Sequence, residues 1–388
     1  MFMILTAPGK CQLSISTSTV AEWTSATQCY HKNLSLCYIH YKVNTCFCYR
    51  CHHQQKWICK KRLSFEFGMS SQLIAASAGD NKPYTGTNYY ASSFSLSAIP
   101  SLIGKTAVVT GGNSGIGFET CKHLALNGAR VILTSRSKQK AVGAIARIKE
   151  AGENSGKTVS IDFVLLDLGD LNQTRDAARE LARLIGDGCI DILINNAGVF
   201  NMEQDAFELA SCGLESMFAV NHMGHFVWTL ELLPLLLKAP SPTRIVIVSS
   251  YGTWRAPFCG IDFDSLSNRN LTFTGRHYYG QSKLANMLFA TELNNRYGDK
   301  IYVNSLHPGN VATPMTAQLF SAPGSSIYTN ILNAEKGSFA SLYAATSNEI
   351  QELEVRGKYI VPFGVVSTDH NPLANDADLS KRLWEFSD

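Results

Sequence analysis

Tyr279 and Lys283 lie four positions apart, the spacing that sets two side chains on one face of a helix. A phenol with an ordinary pKa of about 10 is a poor acid or base near neutrality. An ammonium beside it favours the phenolate and lowers that pKa, so the pair reads as a proton donor to a carbonyl under reduction. Tyr278 does not compete, because its i+4 residue is Ser282. Alone, Tyr-x-x-x-Lys is common on helix surfaces, and its company is what singles it out. Asn195-Asn196-Ala197-Gly198, Ser249-Ser250 and His307-Pro308-Gly309 each close an apolar run, and Asn221 lies in Val220-Asn-His-Met-Gly-His-Phe226.

Thr110–Gly117 reads Thr-Gly-Gly-Asn-Ser-Gly-Ile-Gly, between an apolar run and a helical pattern. Glycines there let the chain turn tightly and a pyrophosphate approach the backbone. The helix that follows offers free N–H groups and the positive end of its dipole. Glycine-rich loops are common, so the place between strand and helix carries the weight. At the end of the second run an acid would hold the ribose 2′-hydroxyl of NAD. Here stand Ser135-Arg136-Ser137-Lys138, and a cation in that place favours a 2′-phosphate, hence NADP(H) as cofactor. The competing reading is a solvated basic loop.

These residues need elements to position them. From Lys105 onward short apolar runs alternate with amphipathic stretches, the pattern of βαβ units. The runs are Thr106–Thr110, Val131–Ser135, Asp162–Leu166, Ile190–Ile194, Arg244–Ser249, Tyr302–Leu306 and Lys358–Pro362. Val, Ile and Leu without alternation suit strands covered on both faces. Gly117–Asn127 has Cys121, Leu124 and Ala125 at helical spacing, with Gly128 as a stop. The expected fold is α/β: a doubly wound Rossmann-type parallel sheet of about seven strands with helices on both faces. Ligands then bind at the carboxyl ends of the strands.

The ordered set Thr110–Gly117, Asn195–Gly198, Asn221, Ser250, Tyr279, Lys283 and Pro308–Gly309 resembles the short-chain dehydrogenase/reductase family over about 290 residues. Val220–Phe226, Tyr279-Gly-Gln-Ser-Lys-Leu-Ala-Asn286 and the insert holding Ile261–Leu266 look like its retinol dehydrogenase and WW-domain-containing oxidoreductase branch. It departs from that branch in showing neither an N-terminal membrane anchor nor a WW domain. The resemblance implies roles. Tyr279 is the acid/base, Lys283 holds the nicotinamide ribose and lowers the tyrosine pKa, Ser250 hydrogen-bonds the substrate oxygen, and Asn221 steadies a water in the proton relay. Gly111, Asn113, Ser114, Gly115, Ile116 and Gly117 form the pyrophosphate turn, and Arg136 meets the 2′-phosphate. Asp167 and Leu168 lie towards the adenine, Asn195, Ala197 and Gly198 line the adenine-ribose side, and Pro308, Gly309, Val311 and Thr313 meet the carboxamide and phosphates. Ser249 is the near competitor of Ser250; in similar proteins the second serine faces the substrate.

The resulting reading is an NADPH-dependent oxidoreductase that reduces a small lipophilic aldehyde or ketone to an alcohol, or runs the reverse. Met315, Leu319, Phe320, Ile327, Tyr328 and Ile331 supply the apolar content behind "lipophilic". The alternative from another class is a catalytically silent NADP(H)-binding regulator or scaffold, which predicts damage to Ser250, Tyr279, Lys283 and Asn221; all four are present. His222, His225, His277 and His307 read as packing or loop residues. Trp228, Leu230, Leu233 and Leu237 form a helical stripe, read as core or as the interface of a homo-oligomer.

The chain has 388 residues, 45% of them hydrophobic and 17% charged, enough for a sizeable core, and its net charge of +3 gives no footing for a nucleic-acid partner. No apolar stretch reaches the roughly 18 residues of a membrane span. Residues 1–68 are different material: Cys11, Cys29, Cys37, Cys46, Cys48, Cys51 and Cys59 crowd there, with scarce acids and no periodicity of useful length. Cys46, Cys48, Cys51, His52, His53 and Cys59 match no two-pair zinc spacing, so no metal is assigned, although a metal-binding adaptor is a third reading. Three parts are expected: an irregular Cys/His-rich segment 1–68, unstructured and outside the enzyme fold; a Ser-rich arm 69–98; and the NAD(P)-binding domain 99–388. Met69 is a candidate initiator. The sparse later cysteines point to a reducing, cytoplasmic setting, with organelle targeting by the first segment left open.

Overall fold

The computed structural model describes residues 39–50, 57–69, 94–201, 203, 206–316 and 331–388. Two compact units divide the chain, 1–80 and 81–388. In the first, β1 (Ile39–Arg50) and β2 (Trp57–Met69) pair antiparallel, with Ile39 opposite Met69 and a register shift at Phe47/Cys48. The expectation of no regular structure in 1–68 thus meets two strands. A period-two pattern is in fact present there: Ile39, Tyr41, Val43, Thr45, Phe47 and Tyr49 alternate with polar or small residues, and β-branched and aromatic residues favour strands.

The second unit is built on an eight-stranded sheet: β3 (Thr106–Val109), β4 (Arg130–Ser135), β5 (Ser160–Leu165), β6 (Ile192–Asn195), β7 (Thr243–Val248), β8 (Ile301–Leu306), β9 (Tyr359–Val361) and β10 (Val365–Ser367). Their spatial order is β10-β9-β8-β7-β6-β3-β4-β5. All seven expected runs became parallel strands; the eighth, β10, pairs antiparallel with β9 at the edge. Neighbouring residues of one strand serve opposite faces, as the pleat requires. Val109, Leu133 and Ile194 enter one core, while Val108, Ile132 and Leu193 enter another. Helices α1 (Gly115–Leu126), α2 (Lys138–Asn154) and α6 (Ala334–Thr346) cover the first face. Helices α3 (Leu171–Ile185), α4 (Gly224–Leu237) and α5 (Gly275–Tyr297) cover the second, and α7 (Ala377–Ser387) brings Trp384 to it.

Strand order reverses at β3, which lies between β4 and β6. That switch point leaves a crevice beyond the carboxyl ends of β3 and β6, where loops depart to opposite faces. The register Val109↔Ile194 sets Thr110 beside the Asn195–Gly198 loop. The Trp228 stripe divides: Trp228 is core, while Leu237 is exposed. No described helix is long and apolar enough to cross a membrane.

Candidate active site

The turn after β3 leads into α1, whose N-cap Ser114 makes no side-chain bond to the helix. The first-turn N–H groups are therefore left for a ligand. Gly115 takes φ +54, and a Cβ on Gly117 would lie 2.4 Å from the Gly111 carbonyl oxygen, so neither position accepts a side chain without rebuilding the turn. Thr313, from the loop after β8, closes on the same turn, its Cγ2 at 3.3 Å from where a Gly115 Cβ would stand. This is a cradle fitted to a pyrophosphate. Asn113 and Ile116 are half-buried in it.

The loop after β6 is fixed to that turn. Thr110 Oγ1 accepts from the N–H groups of Asn196 and Ala197, both at 2.9 Å, and Asn196 Nδ2 donates to the Thr110 carbonyl at 2.8 Å. Asn195, expected on the adenine-ribose side, is buried with its amide on Thr229 Oγ1 at 2.8 Å. It braces α4, and Ala197 and Gly198 remain as the half-buried residues of the group. Asp167 Oδ1 accepts from Gly169 N–H at 3.0 Å. Leu168 is buried against the start of α4, where a Gly224 Cβ would lie 2.3 Å from its carbonyl oxygen. Arg136 is exposed at the end of β4, beside Ser135, whose Oγ accepts from Ser137 N–H at 3.1 Å.

Tyr279 and Lys283 sit in the first turns of α5, whose start is held by His277 Nδ1 accepting from Thr274 N–H at 3.0 Å. A short 3₁₀ turn, Tyr251–Arg255, follows Ser250 and packs on α5 at Gly280, where a Cβ would meet the Ala256 nitrogen at 2.5 Å. Ser250 is thereby brought to hydrogen-bonding reach of the Tyr279 phenol. Ser250 Oγ also accepts from Gly252 N–H at 3.0 Å. Ser249 is excluded: it is buried, and its hydroxyl donates to the Lys283 carbonyl at 2.7 Å. Tyr278 is structural, its hydroxyl accepting from Asn270 N–H at 3.0 Å.

Burial pushes the Tyr279 pKa up, and the Ser250 hydrogen bond works against that rise. The lowering expected from Lys283 is not the balance struck here. The lysine Nζ lies 5.9 Å from the phenol ring centre and donates to the Val248 carbonyl at 3.0 Å. Burial pulls the ammonium itself down to about 8. A Cβ on Gly198 would come within 3.4 Å of that Nζ, so the glycine keeps a gap beside a buried cation, room for neutral oxygens such as ribose hydroxyls. Asn221 lies in a wide π turn, Ala219–Met223, leading into α4. Its Oδ1 accepts from Val199 N–H at 2.8 Å, and its Nδ2 donates to the Val199 carbonyl at 3.1 Å and to Ser282 Oγ at 3.0 Å.

Comparison with known proteins gives this constellation its place. The family model described as short chain dehydrogenase matches residues 105–260. A short-chain dehydrogenase/reductase of Armillaria gallica is 35% identical over 300 residues, 76% of this chain and 92% of that protein. The chain belongs to the short-chain dehydrogenase/reductase family. Human retinol dehydrogenase 14 is 35% identical over 309 residues, covering 74% of this chain and 85% of that one. A Beutenbergia cavernae structure with NADP bound at low occupancy is 26% identical with a TM-score of 0.53, over 67% of this chain and 96% of that one. The protein is thus an oxidoreductase of this family, resembling its retinol dehydrogenase branch.

Not every residue at this family site was evident beforehand. The sequence assigns no role to Gly252, Gly280 or Ser282, since their part depends on what α5 packs against. His222 does pack, among Phe218, Phe226 and Phe289, with Nε2 3.0 Å from Ser387 Oγ. His307 Nδ1 accepts from Tyr251 N–H at 3.3 Å. His225 is buried, with Nε2 2.8 Å from Thr110 Oγ1 and Nδ1 3.0 Å from the Asn221 carbonyl. Of the apolar set behind a lipophilic substrate, Met315 and Ile331 are exposed, and 317–330 lie outside the described residues, as do the side chains of the Cys/His segment.

Proposed function

We propose that this chain is an NADPH-dependent carbonyl reductase, reversible as an alcohol dehydrogenase, acting on a small lipophilic aldehyde or ketone. The observation that carries the reading is the meeting of Ser250 and Tyr279 hydroxyls, one helical turn from buried Lys283. The nicotinamide, when bound, supplies hydride to the carbonyl carbon or takes it from the alcohol. Tyr279 gives its phenolic proton to the carbonyl oxygen in reduction and takes it back in oxidation. Ser250, whose oxygen accepts from Gly252 N–H, can turn its one proton from the Tyr279 oxygen to the substrate oxygen and orient it. Lys283 and the Gly198 gap would hold the ribose, and the uncapped start of α1 with Gly115 and Gly117 would hold the pyrophosphate.

Arg136, with Ser135 where an acid would serve NAD, supports NADP(H), as does the NADP bound to the Beutenbergia relative. The retinol dehydrogenase relatives support a lipophilic substrate. The test is oxidation of NADPH, followed by its absorbance, with a panel of lipophilic aldehydes and ketones. Turnover that disappears in Tyr279→Phe is expected. Tight NADPH binding without turnover on any member would replace this reading with that of a silent regulator.

A further inference from the structure

We propose that His225 is a positioning residue that ties the Asn221 turn to the pyrophosphate crevice and so holds Tyr279 in place. The inference rests on the catalytic reading above. Its basis is a hydrogen-bond count at Thr110. A hydroxyl has one proton and two acceptor lone pairs. Thr110 Oγ1 spends its acceptor capacity on Asn196 and Ala197 N–H, both at 2.9 Å. Its one proton has two acceptors to choose from: His225 Nε2 at 2.8 Å and the Ile194 carbonyl at 3.5 Å. The shorter contact wins, so Nε2 is bare. The imidazole proton is then on Nδ1, and it goes to the Asn221 carbonyl at 3.0 Å.

The chain of bonds continues. Asn221 Nδ2 donates to Ser282 Oγ at 3.0 Å, and Ser282 Oγ donates to the Tyr279 carbonyl at 2.8 Å. Thr110, His225, Asn221 and Ser282 are each no more than 1% exposed. A continuous buried run therefore joins the residue that opens the pyrophosphate turn to the backbone of the tyrosine. Such networks specify one arrangement when every member is satisfied. A charged imidazolium would point a second proton at Thr110, which has no acceptor left. Burial, aided by the Lys283 ammonium, holds the His225 pKa down near 4, and His222, the other titratable ring nearby, is held still lower by burial. His225 is accordingly a neutral brace that keeps its Nδ1 proton and relays none during turnover.

The test has two independent arms. In the wild-type protein, nitrogen NMR of labelled histidines is expected to find one ring protonated on Nδ1 alone and unchanged between about pH 6 and pH 9; His225→Asn removes that signal and so assigns it. An Nε2–H tautomer for His225, or titration near an ordinary histidine pKa, overturns the proposal whether or not a carbonyl substrate has been found. In the kinetic arm, Thr110→Val and His225→Phe each lower kcat by roughly 10- to 100-fold, the scale of a small misplacement of catalytic groups, with substrate KM changed by less than about threefold; NADPH affinity stays in that range in His225→Phe and weakens in Thr110→Val, which also strips the Asn196 and Ala197 N–H groups of their acceptor. Thr110→Ser, which restores the hydroxyl, returns to within about twofold of wild type. Combining Thr110→Val with His225→Phe costs no more than His225→Phe alone, as expected of one chain of contacts. Wild-type kcat in Thr110→Val or in His225→Asn sinks the idea even if His225→Phe fails to fold. A wild-type protein inert towards all carbonyls would defeat the catalytic reading and leave the tautomer result to decide the brace.

Discussion

Lys283 donates its ammonium to the Val248 carbonyl at 3.0 Å, and burial is the whole cause of its lowered pKa, with no carboxylate contributing. A buried cation without a counter-charge costs stability wherever it is protonated. The native pKa is about 8, whereas the unfolded chain holds the proton to about 10.4. Between those values the unfolded state binds more protons, so this group's contribution to stability rises with pH; below about 8 the full cost is present. Lys283→Met should therefore be inactive yet more stable at pH 7, by about 2–3 kcal/mol. Val248 would keep a partner, since Asn286 Nδ2 also donates to it at 3.2 Å. Denaturant titrations at about pH 7 and pH 10 check this: the advantage should shrink at the higher pH, and a less stable variant at neutrality contradicts the argument.

Tyr279→Phe removes a hydroxyl and no ring volume, so the edge contact with Phe200, at 4.5 Å between ring centres, survives. Turnover should fall by about 10²- to 10⁴-fold, the usual value of a positioned acid or base, with NADPH affinity within about twofold. Ser250→Ala carries a signed pH effect. Its hydrogen bond lowers the phenol pKa against burial, so its loss should move the rising limb of the oxidation profile, where Tyr279 must lose its proton to act as base, to higher pH. A limb that stays put or moves down would separate Ser250 from the phenol.

Two glycines make a matched pair. A Cβ on Gly252 would meet Tyr279 Cε1 at 2.9 Å and Ser250 Oγ at 3.2 Å, whereas one on Gly143, exposed in α2, would meet nothing within 4 Å. Gly252→Ala should cut kcat by roughly tenfold or more by displacing the two hydroxyls. Gly143→Ala should leave kcat alone and add about 0.5–1 kcal/mol of stability, the helix preference of alanine. Thermal melts and initial rates on both variants decide the matter; equal kcat would mean the Ser250 turn yields easily.

The parallel strands were legible because each is a short apolar run bounded by turn residues, and covering on both faces leaves no other use for such runs. Tyr279, Lys283 and Ser250 were legible because a helix or a strand end fixes their spacing. The hairpin of residues 39–69 was passed over because its dense Cys, His and Lys obscured the alternation from Ile39 to Tyr49. Strand β10 holds three residues, too few to show a period. His225 escaped because nothing local marks it. Its value comes from Thr110, 115 positions away, and only the β3–β6 register brings the two loops together. The pKa of Tyr279 was misjudged for a similar reason: helical spacing gives proximity to Lys283 but says nothing of the carbonyl that claims its ammonium.

Cofactor choice should depend on Arg136. It is exposed and enters no ion pair among the described residues, so a 2′-phosphate need not displace a carboxylate to reach it. Charge-assisted hydrogen bonds contribute about 1.5–3 kcal/mol, so NADPH is expected to exceed NADH by roughly 10- to 100-fold in kcat/KM. Arg136→Ala should bring the two cofactors close to parity by weakening NADPH alone. Equal use of both cofactors by the wild type would remove this residue from the argument.

The last expectation concerns the first unit of the chain. Among the described residues, every buried member of the three core clusters lies at or beyond Ile99. Before it, among the described residues, Phe94 packs its ring 6.1 Å from Phe339 and 5.6 Å from Tyr343 on α6, and Leu96 also packs against the core. A chain beginning at Met69 keeps all of these. It should fold with stability within about 1 kcal/mol of the full chain, since it keeps every described member of this core, and with unchanged kcat. A chain beginning at Lys105 loses Phe94, Leu96, Ile99 and Leu102; the last two are 6% and 5% exposed. At about 1.5–3 kcal/mol for each fully buried side chain, that truncation should cost at least about 3 kcal/mol and lower the melting temperature. Melting curves and rates for the three chains separate the possibilities. Loss of soluble, active protein on starting at Met69 would make residues 1–68 part of the folded enzyme and overturn the division proposed for them.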